Sequence, residues 1–124
     1  MGLDTFASRK PDDVELSAED ERAFAQAAIE LCGGMWSGGD GASSFRGKVY
    51  IDVVDRVAGV WLTREWIPPD EVRDIAAAFE RCDPERLADE SAGDAYPVTG
   101  FEVEELRRFF RLCADRGLGL IGWS

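Results

Sequence analysis

Three polar side chains stand close together just after a glycine-rich run. Ser44, Arg46 and Lys48 lie within five residues of one another. If a helix starts here, its first free amides and the two cations form a simple anion site for a phosphate or carboxylate. A nucleotide-binding phosphate loop does not fit. The gap between Gly41 and Gly47 is one residue too long, Val49 stands where a hydroxyl is needed, and no strand precedes the run. The plain alternative is an ordinary helix start capped by Ser43 or Ser44.

Carboxylates also pair at helical spacing. Asp52/Asp55 and Glu71/Asp74 are each three residues apart. Burial of such a pair raises a pKa, and hard cations accept oxygen ligands there. With 25 acids in the chain, such pairs arise by chance, so a solvated stripe is the expectation. No metal site and no cofactor is expected.

Histidine is absent. That removes the commonest general base, the Ser-His-Asp and Cys-His arrangements, and most transition-metal sites. Cys32, Cys82 and Cys113 lack the close pairs that zinc sites use. They read as small buried thiols, with Cys113 the first choice if any is functional. The four tryptophans, Trp36, Trp61, Trp66 and Trp123, are many for 124 residues and are the candidates for an interface.

The elements that must position these groups centre on residues 44–59. From 49 to 62, the polar residues Asp52, Asp55 and Arg56 fall in one sector of a helical wheel at about 100° per residue. Tyr50, Val53, Val54 and Val57 fill a buried flank. Gly59 supplies a left-handed stop, and Asp52 can pair with Arg56. The competing reading is a hairpin over 48–66, because β-branched residues are dense.

Residues 1–16 are polar and acidic and read as a flexible arm, leaving 17–124 as a single globular domain. Ser17 caps a helix whose apolar face is Phe24, Ala28, Leu31 and Cys32, ending at Gly33-Gly34. Pro68-Pro69 seed a helix that buries Val72, Ile75, Ala76 and Phe79 and ends at Asp83-Pro84. A further helical turn spans 84–90. Thr99 and Glu102 match a capping box, with Val98 and Val103 as a hydrophobic staple. The helix they open buries Val103, Leu106, Phe110 and Cys113 and stops at Gly117. Short extended segments are expected at 61–67 and 118–123.

The fold expected is mainly α, a compact bundle of about four helices with short extended segments. The alternative is α+β with a hairpin at 48–66.

The net charge is −11, with twelve arginines and two lysines. High-salt adaptation and a GC-rich genome both fit. Nucleic acid and anionic membranes are disfavoured partners, since both surfaces are negative. No apolar run reaches the ~18 residues of a membrane span and no secretory leader is visible, so a reducing cytoplasm is expected. The function expected is a non-enzymatic protein-interaction module or homo-oligomer. One alternative is a small enzyme built on Arg46, Asp52, Asp55 and Arg56. Another is an acidic inhibitor or immunity-type protein that masks a basic target.

Overall fold

The first strand is β1 (Asp4–Ser8), and it lies inside a four-stranded antiparallel sheet of order β2-β1-β4-β3. Its neighbours are β2 (Ser44–Arg46) and β4 (Gly119–Trp123), and β4 also pairs with β3 (Trp66–Ile67). These positions come from a computed structural model, which describes residues 4–31 and 43–123. The expected loose arm is thus corrected over Asp4–Ser8, where all five residues are buried. Residues 9–15 turn back on the strand end. Arg9 N donates to Glu15 O at 2.9 Å, and Ser8 Oγ accepts from Glu15 N at 3.0 Å.

Helix α1 (Ala18–Ala27) opens on the expected Ser17 cap, and Asp20 completes a capping box. It stops before Leu31. Ala28 takes a left-handed conformation at φ 50° and donates its N–H to Phe24 O. Side chains from a distant helix set that end. Arg108 donates to Ala27 O, and the Glu105 carboxylate accepts from Glu30 N at 2.6 Å. The expected stop at Gly33-Gly34, with Cys32, lies outside the described residues.

The stretch after β2 is helical, α2 (Gly47–Ala58), and not a hairpin. Tyr50, Val53 and Val54 are buried, Val57 is half-buried, and Asp52 and Arg56 face water. Gly59 closes it at φ 69°, donating to Asp55 O at 2.7 Å. The serine cap is corrected. Ser44 is held in β2 by pairing with β1, so Arg46 becomes the N-cap and offers no side-chain bond. Arg56 pairs with Asp94 at 3.2 Å instead of Asp52.

Helices α3 (Pro69–Arg81), α4 (Pro84–Glu90) and α5 (Gly100–Arg116) follow the expected boundaries. The Thr99–Glu102 capping box forms, and Gly117 at φ 68° ends α5. Leu118 N then donates to Cys113 O at 2.9 Å.

Among the described residues there are five helices and one small sheet, so the four-helix bundle gives way to a helix-rich fold around a sheet. Helix α5 packs on α3 and α4, and α2 lies between α3 and β1. Ala7, Phe45, Ile67 and Leu120 bring the sheet into the core. There they meet an aromatic cluster of Phe24, Phe45, Tyr50, Phe79, Phe109 and Phe110.

Gly122 shows why β4 tolerates its crossing segment. A Cβ there would lie 2.7 Å from Leu62 O and 2.6 Å from Arg64 O, both backbone atoms. Gly122→Ala is therefore expected to cost about 1–3 kcal/mol, as overpacking does. Gly93 has open space around its Cβ position, so Gly93→Ala is expected to stay within about 0.5 kcal/mol. Urea unfolding of both variants checks the contrast.

Candidate functional site

A cavity of about 470 Å³ opens between α2, α3 and α4. Each helix contributes one arginine to its lining: Arg56 from the last turns of α2, Arg81 from the end of α3, Arg86 from α4. Val57, Ala78 and Leu87 supply apolar lining. Two carboxylates also line it, and both are engaged. Asp83 caps α4, accepting from Glu85 N at 3.1 Å and Arg86 N at 3.5 Å, and Glu90 pairs with Arg86 at 3.2 Å. Arg81 forms no ion pair among the described residues.

The α3–α4 corner is fixed from behind by α5. Arg107 Nε donates to Phe79 O at 2.9 Å and Nη2 to Cys82 O at 2.8 Å. Cys82, half-buried, lines the cavity and lies 3.8 Å by its Sγ from Arg107 Nη2. Cys113, the thiol singled out from sequence, is sealed in the core. Burial, with the Asp20 charge adding to it, pushes its pKa far above the usual thiol range.

A second feature lies where α2 and α5 begin. Lys48 Nζ sits 6.0 Å from the centre of the Tyr96 ring, and Tyr50 Oη donates to Glu102 Oε2 at 2.8 Å. Beside Glu102, Phe101 is 57% exposed, and Tyr96 is 41% exposed. Past the other end of α2, Trp61 is 53% exposed.

The residues proposed from sequence scatter. Ser44 and Arg46 share one face of β2, opposite Phe6 and Asp4 respectively, whereas Lys48 is exposed on α2 beside Tyr96. Among the described residues, Ser44 Oγ, Arg46 Nε and Asp4 Oδ1 are buried without a hydrogen-bond partner. The three anion-site residues therefore do not form one site.

Arg46 and Arg56 stand ten residues apart along α2, about 15 Å at 1.5 Å per residue. Asp52 is exposed, so the Arg46–Asp52–Asp55–Arg56 set does not converge. Glu71 pairs with Arg64.

Of the tryptophans, Trp61 is open and Trp66 is half-buried, its ring crossing Gly119. Trp36 and the side chain of Trp123 lie outside the described residues.

Comparison with family models, with curated proteins and with solved structures returns no match. Site chemistry alone therefore carries the functional reading. Among the described residues no acids or cysteines cluster as a metal site, and no helix is long and apolar enough to cross a membrane.

Sequence reasoning missed two buried acids. Glu105 ties α5 to Glu30 N and to Arg108 at 2.8 Å. Asp20 binds Arg9 at 2.5 Å and Arg116 at 2.6 Å, and these bonds hold its carboxyl well below the usual carboxylate range. The first-turn position of Asp20 signals only a helix start. Its partners come from β1's end and from α5.

Proposed function

We infer that the protein is a non-enzymatic interaction module that associates with a second copy through exposed aromatic side chains. The observation that supports this is the openness of Phe101 and Trp61, each more than half accessible to water. Burying such a ring in a partner contributes about 1.5–3 kcal/mol, and aromatic anchors recur at the centres of interfaces. In a two-fold pair a residue of one copy meets the partner surface twice, so each exposed ring can serve as an anchor in both copies. Lys48 beside Tyr96 adds a cation at the rim.

The charge of −11 opposes two copies meeting. Salt relieves that repulsion, because the Debye length falls from about 10 Å at 0.1 M to about 3 Å at 1 M. The expected result is a dimer whose fraction rises with sodium chloride, read by light scattering. Phe101→Ser and Trp61→Ser should shift it to monomer, with a melting temperature equal to wild type at low salt, where wild type is also monomeric. A monomer mass at both salts overturns the reading. The same charge favours a second reading, a basic protein partner, and there salt acts in the opposite direction.

A further inference from the structure

We propose that the cavity between α2, α3 and α4 binds a small organic phosphate monoester. Arg56, Arg81 and Arg86 hold the phosphoryl group, and the organic body lies on Val57, Ala78 and Leu87. This does not rest on the aromatic surface.

Charge is the first argument. The chain carries −11, yet three arginines and only two acids line this cavity. Asp83 is spent on the α4 amides. The Arg86–Glu90 pair is exposed, and such pairs contribute little, so a dianion can displace Glu90 from Arg86. Arg56 is shared with Asp94, which does not line the cavity. Arg81 forms no ion pair with any acid among the described residues, so its charge is available to a ligand. A divalent cation would meet the opposite sign.

Geometry is the second argument. Guanidinium forks match phosphate oxygens two at a time, and a phosphate monoester presents three acceptor oxygens with about −1.5 to −2 charge at pH 7. A carboxylate would leave one of the three guanidiniums idle. The roughly 470 Å³ available fits a small molecule, since such sites span about 300–1,000 Å³. A nucleic-acid strand would instead have to run across an acidic surface. The arginines project from helices, and the corner between Arg81 and Arg86 is pinned by Arg107 and by the Asp83 cap.

The experiment titrates the full chain calorimetrically with phenyl phosphate at low salt. Saturable binding is expected, with a Kd between about 10 μM and 1 mM. Arg81→Ala should weaken it about tenfold or more, and so should Arg56→Ala, because each removes charge-assisted hydrogen bonds. Arg73→Ala, on an exposed face of α3, should leave it unchanged. Inorganic phosphate should bind at least about tenfold more weakly for want of the apolar contact, and benzyl alcohol should not bind. A second measurement does not depend on variants. Iodoacetamide labelling of Cys82, followed by peptide mass, should slow severalfold with phenyl phosphate and not with benzyl alcohol. No saturable binding up to 10 mM, full affinity in Arg81→Ala, or inorganic phosphate binding as tightly as phenyl phosphate each overturns the proposal.

Discussion

Phe110→Ala is expected to lower the unfolding free energy by about 4 kcal/mol, inside the roughly 3–5 kcal/mol range for truncating a buried phenylalanine. The ring is fully buried and meets three others. Its centre lies 5.1 Å from Phe79 on α3, 5.9 Å from Phe109 and 6.1 Å from Phe45 on β2. One side chain thus joins the sheet to two helices. Because the ring bridges two helices and a paired strand, the void is expected to collapse poorly and the cavity term to stay large. Native domains hold only about 5–15 kcal/mol in total, so this variant sits near the threshold of folding. Phe110→Leu keeps most of the volume and should cost about 1–1.5 kcal/mol. Phe101→Ala removes an exposed ring and should change stability by no more than about 0.5 kcal/mol. Urea unfolding of the three variants provides the check. Equal losses for Phe110→Ala and Phe110→Leu would show that the site relaxes and that the ring is no junction.

The parts of the fold legible in the sequence are those whose signals are local. Thr99 and Glu102 cap each other across three residues, so α5 could be placed from its own letters. Val72, Ile75, Ala76 and Phe79 repeat on one flank, and all four are buried in α3. Gly59 and Gly117 take the left-handed turns their positions imply.

Strand β1 failed because its reason for being extended is remote. Within Asp4–Ser8 Thr5 is the one β-branched residue, and the strand pairs with Gly119–Trp123 near the other end of the chain. Nothing within ten residues of Asp4 reports that pairing. The end of α1 failed similarly, since Arg108 and Glu105 on α5 satisfy the backbone there. The cavity was not legible: Arg56 is named from sequence, but with Arg46, Asp52 and Asp55, which do not converge on it. Arg81 and Arg86 sit on separate helices, and composition records them as charges without saying that they line one cavity.

Asp20→Asn is expected to cost about 3 kcal/mol near neutral pH, at the low end of the roughly 3–5 kcal/mol for breaking a buried ion pair. The Asp20 side chain is 0% exposed, while those of Arg9 and Arg116 are 41% and 27% exposed. The freed guanidiniums can therefore rehydrate, which keeps the loss from reaching the top of that range. The carboxylate also accepts from Ser17 N at 3.0 Å, a bond that asparagine can keep.

The pH dependence separates the charge from the packing. The hydrogen bond from Arg9 is the largest influence and lowers the folded-state pKa of Asp20 far below its ordinary 3.8. The unfolded chain therefore takes up this proton first as acid is added. Stability from Asp20 is fully present above its unfolded pKa of about 4 and drains away as pH falls toward the folded value, at up to about 1.4 kcal/mol per pH unit. Wild type and Asp20→Asn should thus differ most above pH 5, and their unfolding free energies should approach one another between pH 4 and pH 2. Parallel curves across that interval would mean that the Asp20 charge contributes nothing and that the clamp on β1's end, α1 and α5 is held by shape alone.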